Sequence, residues 1–551
     1  MAPSQGYTPL NGSEHQHPTN HKRLNATADH ETVTVTMIVR RKPGGAKMRG
    51  LGDFAAKHGA AHAASTHANF AGDHGADPKE LALVAAFAQS HGLKVDDSNP
   101  ARRSVVVSGT VAAINKAFDV TLHDYDSPRG KYRGHEGSAG LPHGLTGIVE
   151  AVSGLDNRQV PARHYAARHR SSVSLDPPHT KPLTPLQVAQ LYSFPAGNGA
   201  GQTIGIYEMQ TGEGSAGYTA QDLALTMQAM GGELTAPTPT DVAVDGVGNA
   251  GVSDGETVLD ITVSSAIAQG AKIAVYFTGG TTQNILHVLQ TMIHPGSGDP
   301  VPTVISISYG WGPDDENADS FSATEYTEID QLFQDAANLG ITVLVSSGDS
   351  GAFIESKKQA QASFPASDPW VLACGGTTIG NVSGSSFTEY VWNDTWQGGS
   401  GGTGGGVSAR YPVPSYQSSV EVPKRNVTGT SGRGLPDIAG NASVNSGYPL
   451  FLAGQSSGPI GGTSAVAPLY AGLVAVMNGN LGSSVGFINP TLYGMAASAF
   501  NDVFGPPGPA NNSYNGTTGY PASKGWNACT GFGSVNGTAL QAALQAAHTG
   551  T

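Results

Sequence analysis

Charged side chains are scarce in this sequence. Asp, Glu, Lys and Arg make up 13% of 551 residues, about half the usual share. That excludes a charge-rich disordered chain, a coiled coil and a collagen. Cysteine is nearly absent. Cys374 and Cys529 allow at most one internal disulfide, so the chain is no disulfide scaffold. Basic residues number 29 against 42 acidic ones, and the net charge of −13 argues against phosphate-backbone binding as the main task. No apolar run approaches about 18 residues, so neither a membrane-crossing helix nor a membrane partner is expected. The first thirty residues are polar and lack an apolar h-region, so no standard secretory signal is visible. Glycine, in contrast, is abundant, at 75 residues with 34 prolines. Together they make about 20% of the chain, below the roughly 25–30% that marks low-complexity disorder. Apolar residues at 38% suffice for a sizeable core. The length exceeds one ordinary domain.

Charge and histidine divide the chain. Residues 1–180 hold 20 Lys and Arg against 16 Asp and Glu, a net of +4, whereas 181–551 carry −17. Fifteen of 18 histidines lie in the first part; only His287, His294 and His548 lie beyond. Between the parts, Arg163 to Pro182 is basic, contains Ser and Pro, and has no apolar period. It reads as an exposed linker. Two readings are open: a linker between unrelated domains, or the junction of a cleavable pro-segment. Residues 1–30 are expected to be disordered. Residues 31–162 read as a small α+β domain, with TVTVTMIVRR alternating like a strand and KELALVAAFAQSHG at helical spacing.

From residue 184 onward the rhythm is strand, helix, strand. Strands are predicted at 202–209, 272–277, 303–309, 341–347 and 369–374. Helices are predicted at 220–230, 255–268, 281–293, 322–338 and 464–478. Short apolar strands between helices indicate a parallel sheet covered on both faces. Gly-rich runs such as 398–406 read as loops, and no regular repeat is present.

The sharpest local feature is GGTSAVAPLYAGLVAVM, Gly461 to Met477. It places Ser464 at a helix N-terminus, where backbone N–H groups and the helix dipole favour a developing oxyanion. An ordinary Ser cap would look the same. A nucleophilic serine needs a base. No histidine after residue 181 sits in a recognisable base motif. The acidic alternative is DGETVLDITVSSAIA, in which Glu256 and Asp260 are four apart and share one helix face. A surface acidic pair is the plain reading, and a carboxylate pair serving Ser464 is the functional one. GDSG, 348–351, follows an apolar strand. It suggests a chymotrypsin-like nucleophile at Ser350, but the surroundings are parallel α/β. Asp349 instead stands at the C-terminal end of a parallel strand, where such sheets carry their sites.

Taken together these segments resemble the sedolisin family, the serine-carboxyl peptidases, and its kumamolisin branch. The resemblance rests on TPLQVAQLYSFP, DGETVLD, ISISYGWG, SSGDSG, GRGLPDIAGNA and GGTSAVAP, in that order. It implies a subtilisin-like parallel sheet with helices on both faces, preceded by a small α+β (ferredoxin-like) pro-domain. It implies Ser464 as nucleophile, Glu256 as general base, Asp260 as its supporting carboxylate and Asp349 in the oxyanion hole, with Glu208 extending the network. It also implies calcium as cofactor, held by Asp502, the Val503 carbonyl, the Ser523 and Gly525 carbonyls, and Asn527. Asn527 stands where the family has Asp, which removes one negative charge and should weaken or alter the site. Tyr309 and Ser363 also depart from the pattern, where a Trp and an acid are expected. The loss of that acid takes away a basis for preferring basic substrate side chains.

Acid chemistry fits these residue types. A His base with a pKa of about 6.5 would be about 0.3% neutral at pH 4, whereas a Glu near 4.3 is poised there. An Asp in an oxyanion hole must be protonated to donate a hydrogen bond. The expectation is an endopeptidase acting at acidic pH through a Ser-Glu-Asp triad, made as a self-processing zymogen. Its partners would be protein or peptide substrates and its own pro-domain, as a monomer acting extracellularly. Residues 163–183 would be the activation linker and 184–551 the peptidase domain. The alternatives are a subtilisin-type protease with a His base, or an inactive protease fold used for binding.

Overall fold

The computed structural model describes residues 6–549, apart from Thr19 and positions 56–64, 161–165, 168–179, 211–215, 313–320, 355–358, 398 and 506–508. In the first part, strand β1 (Thr32–Val39) buries Val33, Val35, Met37 and Val39 on one face. Helix α1 (Pro78–Ser90), strands β2 (Lys94–Asn99) and β3 (Ser104–Thr110), helix α2 (Val111–Phe118) and strand β4 (Val149–Ser153) follow. The strands form an antiparallel sheet in the order β2-β3-β1-β4. That is the ferredoxin-like arrangement expected. The Asp77 carboxylate starts α1 by accepting the Lys79 N–H, with Pro78 in the first turn. The alternation of β1 fails after Thr36, because its second face is buried too. Ile38 joins an apolar cluster of the second part, and the Thr36 hydroxyl meets His287 Nε2 at 2.7 Å.

The expected disorder of residues 1–30 is not found where the chain is described. Tyr7–Pro9 pairs with Gly140–Pro142, and Lys22–Ala26 pairs with His123–Ser127. Leu10 packs on the core of this first part, and the His17 ring stacks on Tyr125 at 4.4 Å. A segment without apolar period is thus held by ring stacking and strand pairing, neither of which shows in composition.

The second part is built on an eight-stranded sheet. Its strands are β5 (Thr203–Met209), β6 (Thr240–Ala243), β7 (Lys272–Thr278), β8 (Val304–Ile307), β9 (Thr342–Ser346), β10 (Leu372–Ser383), β11 (Ser386–Val391) and β12 (Ile438–Asn441). The order is β6-β7-β5-β8-β9-β10-β11, with β12 also on β10. All pairs are parallel except β10 with β11. Helices α3 (Ala220–Met230), α4 (Gly255–Ile267), α5 (Thr282–Ile293), α6 (Ala323–Asn338) and α7 (Val466–Leu481) cover it. The strand predicted at 369–374 begins only at Leu372, because the Trp370 N–H turns back to the Asp368 carboxylate. Both cysteines are buried and unpaired.

Helix α7 with its preceding turn, Thr463–Leu481, is apolar and long enough to cross a membrane, yet 83% of that window is buried inside the protein. It is the core helix, and α4 lies directly on it. Gly472 permits this contact: a Cβ there would stand 2.7 Å from Ile267 Cβ and 3.0 Å from the Ser264 carbonyl oxygen.

The two parts meet along α6. The Arg103 guanidinium donates to Glu328 and Gln331, each at 2.7 Å, and Arg41 donates to Asp335 at 2.6 Å. The Ser153 hydroxyl donates to Glu325 at 2.7 Å. His287 and His294 are engaged here, bonded to Asp245 and Asp335.

Candidate active site

Ser464 lies in a 3₁₀ turn, Thr463–Ala465, that leads into α7. Its hydroxyl does not cap the helix, whose N-cap is Ala465 with no side-chain bond. It donates instead to the Ser308 carbonyl at the end of β8, at 3.3 Å. That removes the reading of Ser464 as an ordinary cap. Gly462, at φ +107°, makes the turn, and its N–H reaches the Ala442 carbonyl at 2.6 Å. Pro468 falls in the first turn of α7, where its missing N–H costs nothing.

Helix α4 brings the carboxylates. Asp254 caps it, accepting the Glu256 N–H at 2.8 Å. Glu256 and Asp260 are both completely buried, so they are no surface pair. All four of their carboxylate oxygens lack a complete hydrogen bond. Burial pushes both pKa values well above the ordinary carboxylate range, with the Asp260 charge adding to the effect on Glu256. The nearby Ser464 hydroxyl opposes the shift on Glu256, and Ser308 opposes it on Asp260. Buried one turn apart on the same helix, the two carboxyls disfavour simultaneous ionisation.

Glu208, on β5, extends the cluster as expected. Its Oε2 accepts from the Thr257 hydroxyl at 3.0 Å and from the Tyr309 hydroxyl at 2.9 Å. Its Oε1 is buried without a hydrogen bond. Burial and the charges of Asp260 and Asp254 raise its pKa well above the ordinary range. The departure at Tyr309 therefore keeps a hydrogen-bond donor on this carboxylate.

Asp349 follows β9. Its Oδ1 accepts both the N–H and the hydroxyl of Thr463, at 2.8 and 2.7 Å. Its Oδ2 is buried with no partner. Burial raises the pKa to about 7 against the lowering effect of Thr463. A proton on Oδ2 makes a donor beside Thr463, the residue preceding Ser464. Ser350 is exposed and lies outside this cluster. Sequence reasoning missed Thr463, Thr257 and Ser308, although all three lie inside the quoted motifs. Nothing in a linear pattern says which motif residues turn toward a carboxylate.

The chain also brings together the residues named for calcium. The Gly525 N–H donates to Asp502 Oδ2 at 2.8 Å, while Asp502 Oδ1 is buried and unpartnered. The Asn527 amide nitrogen donates to the Ser523 carbonyl at 2.9 Å and the Gly525 carbonyl at 3.3 Å. The Thr530 hydroxyl donates to the Val503 carbonyl at 3.3 Å. Among the described residues, no group of three or more His, Cys, Asp or Glu is placed to hold a metal. One orphaned carboxylate oxygen, beside carbonyls that already accept the Asn527 and Thr530 donors, is a poor donor set for a hard cation that takes six to eight oxygens. As arranged, the loop does not fit calcium.

Residues 163–183, the expected activation linker, lie largely outside the described residues. Ala166 and Ala167 are described and pair antiparallel with Gly461 and Ile460, just before Ser464 in the chain.

Residues 19–158 match the activation domain of pro-kumamolisin, and residues 240–485 match the subtilase family. The chain is 40% identical to kumamolisin of Bacillus sp. strain MN-32 over 529 residues, 93% of this chain and 92% of that one. It is 30% identical to the tripeptidyl-peptidase sed5 of Aspergillus fumigatus over 580 residues, 96% of each. The solved structure of Pseudomonas sedolisin, a serine-carboxyl proteinase complexed with two molecules of pseudo-iodotyrostatin, matches with a TM-score of 0.53 and 31% identity, over 66% of this chain and 98% of that one.

Proposed function

The chain belongs to the serine-carboxyl peptidases, the sedolisin family, as a pro-domain joined to a peptidase domain, and from that premise we propose that it is an endopeptidase working in acid through Ser464, Glu256 and Asp260. The observation that carries this reading is the fully buried Glu256–Asp260 pair on the helix packed against the Ser464 turn. Ionised Glu256 takes the proton of the Ser464 hydroxyl as that oxygen attacks the scissile carbonyl. Asp260, in its protonated form, steadies the charge on Glu256. The carbonyl oxygen becomes an oxyanion and receives the Oδ2 proton of Asp349 as a hydrogen bond. Glu256 then passes its proton to the leaving amine, and water repeats the cycle on the acyl-enzyme.

Two features support acid action. The general base is a carboxylate, and the oxyanion donor exists only while Asp349 is protonated. Support for self-processing comes from the strand-like pairing of Ala166 and Ala167 beside the nucleophile's turn. Action outside the cell belongs to the same proposal. Hydrolysis of an internally quenched peptide, followed from strongly acid to neutral pH, tests it. Activity should peak in acid, and Ser464→Ala or Glu256→Ala should each cost roughly 10⁴-fold or more in kcat. Near-normal turnover by Glu256→Ala would show that another group is the base. Release of tripeptides alone from a long substrate would replace the endopeptidase with a tripeptidyl-peptidase.

A further inference from the structure

The C-terminal loop brings three elements of a cation site together and then fills the space with the protein's own N–H groups. The Asn527 side chain is locked by both its ends. Its Oδ1 accepts the Cys529 N–H at 3.1 Å, the Thr530 N–H at 2.9 Å and the Thr530 hydroxyl at 3.2 Å. Backbone N–H groups can only donate, so the atom facing them must be the oxygen. The amide nitrogen is then forced to face the Ser523 and Gly525 carbonyls. Those two carbonyls each accept an N–H from the same amide, and the hydrogens it presents there repel a cation. Turning the amide over would expose the Ser523 and Gly525 oxygens to an acceptor. It would also set an NH₂ against two backbone donors, leaving buried polar groups unpaired on both sides. Asn527 is 4% exposed, so water does not relieve that. An Asp at this position would behave differently. One oxygen would keep the Cys529 and Thr530 bonds, and the other would turn acceptor and charge toward the carbonyls. The remaining carboxylate, Asp502, has its pKa raised by burial, against the lowering effects of the Gly525 N–H and the Lys524 charge.

We propose that the Asn527 amide closes this loop in place of a metal ion, so that the folded chain neither holds nor needs calcium there, and that Asn527→Asp alone opens the loop to calcium. The amide links 523–525 to 529–530 with hydrogen bonds, as a cation would link them through shared oxygens. The inference is independent of the catalytic assignment, because it concerns the closure of a loop and is read by binding and stability.

The test uses the full-length chain carrying Ser464→Ala, which prevents self-digestion. Its melting temperature is measured in EDTA and in excess calcium, and calcium binding is measured by titration calorimetry. With Asn527 the melting temperature should be the same in both, with no stoichiometric heat of binding. With Asn527→Asp, calcium should bind stoichiometrically, raise the melting temperature, and lose the gain in EDTA. Asn527→Ala guards against a misfolded Asp variant: it should melt lower than the parent by the same amount in calcium and in EDTA. The proposal is overturned by stoichiometric calcium binding to the Asn527 chain that disappears with Asp502→Asn. It is equally overturned if folded Asn527→Asp gains no calcium binding, or if the loss in Asn527→Ala depends on calcium.

Discussion

At the scale of single residues, the proposed acid range rests most directly on Asp349. Thr463 fixes its Oδ1 as an acceptor twice over, so the proton belongs on Oδ2. Its pKa is pushed up to about 7 by burial. As pH rises through about 7, the carboxyl loses the proton that the proposed reaction needs it to donate, and gains a charge that would repel an oxyanion. An asparagine side chain at this position would keep the same acceptor on Thr463 and would offer an N–H at every pH. The expected outcome is that Asp349→Asn keeps measurable turnover and loses the part of the alkaline fall that titrates near 7. Asp349→Ala should cost roughly 10²–10³-fold in kcat across the whole profile, the usual cost of one oxyanion donor. pH–rate profiles of kcat for the three proteins check it. A fall near 7 that is identical in Asp349→Asn would assign that limb to the Glu256–Asp260 pair.

At the scale of elements, the site depends on how closely α4 and α7 lie. Glu256 and Asp260 ride on α4, and Ser464 stands at the head of α7. At Gly472 the two helices approach closely, with Ile267 and Ser264 within 3.0 Å of an added Cβ. A methyl there has no room. Gly472→Ala should gain up to about 1 kcal/mol from helix propensity and lose about 1–3 kcal/mol to overpacking. The net expectation is a lower melting temperature together with a lower kcat and little change in KM, as α4 is pushed away from the nucleophile. An unchanged kcat with normal stability would mean that the helices adjust without moving the carboxylates. The sequence displayed both helices and their small residues, but a run of Gly, Ala and Ser says only that something comes close. It does not say which helix.

At the scale of the whole molecule, the strongly raised carboxyls of the peptidase part and the buried histidines of the pro-domain respond to acid in opposite senses, while Asp222, Asp245 and Asp335 of the peptidase part are lowered. In the peptidase part, burial raises Asp349 to about 7 and Asp368 and Asp394 to about 6. Unfolded carboxyls titrate near 4. Between about pH 4 and 7 the folded state therefore holds protons that the unfolded state has released. By linkage, stability rises as pH falls through that window. In the pro-domain the sign reverses. Burial lowers His135 to about 4, with the His15 charge adding to it, and burial lowers His17 as well. An unfolded His titrates near 6.5. Between about pH 6.5 and 4 the unfolded state takes up protons that the folded pro-domain refuses, so its stability falls as pH falls. Calorimetry of the full-length Ser464→Ala chain should show two transitions that separate on acidification, the pro-domain melting lower and the peptidase domain higher. His135→Gln should flatten the pro-domain's dependence. A single transition that moves as one from pH 7 to 4 would rule out acid loosening as the route to activation.

What the sequence determined by itself was local or strongly patterned. The parallel strands and their helices were legible because buried strands read as short apolar runs and helices as periodic ones. Ser464, Glu256, Asp260 and Asp349 stood out as candidates because each sits in a motif of several residues. Only the tertiary structure decided what those side chains face. Thr463, Thr257 and Tyr309 became part of the site through hydrogen bonds spanning between 49 and 114 residues of chain, and no linear window holds both ends of such a bond. The ordered N-terminus escaped notice for the same reason: His17 is polar until Tyr125 is laid against it. Asn527 gives the sharpest contrast. Its identity was plain in the chain, and the charge lost with it could be counted. That its nitrogen faces the carbonyls follows only from the two backbone N–H groups holding its oxygen on the other side.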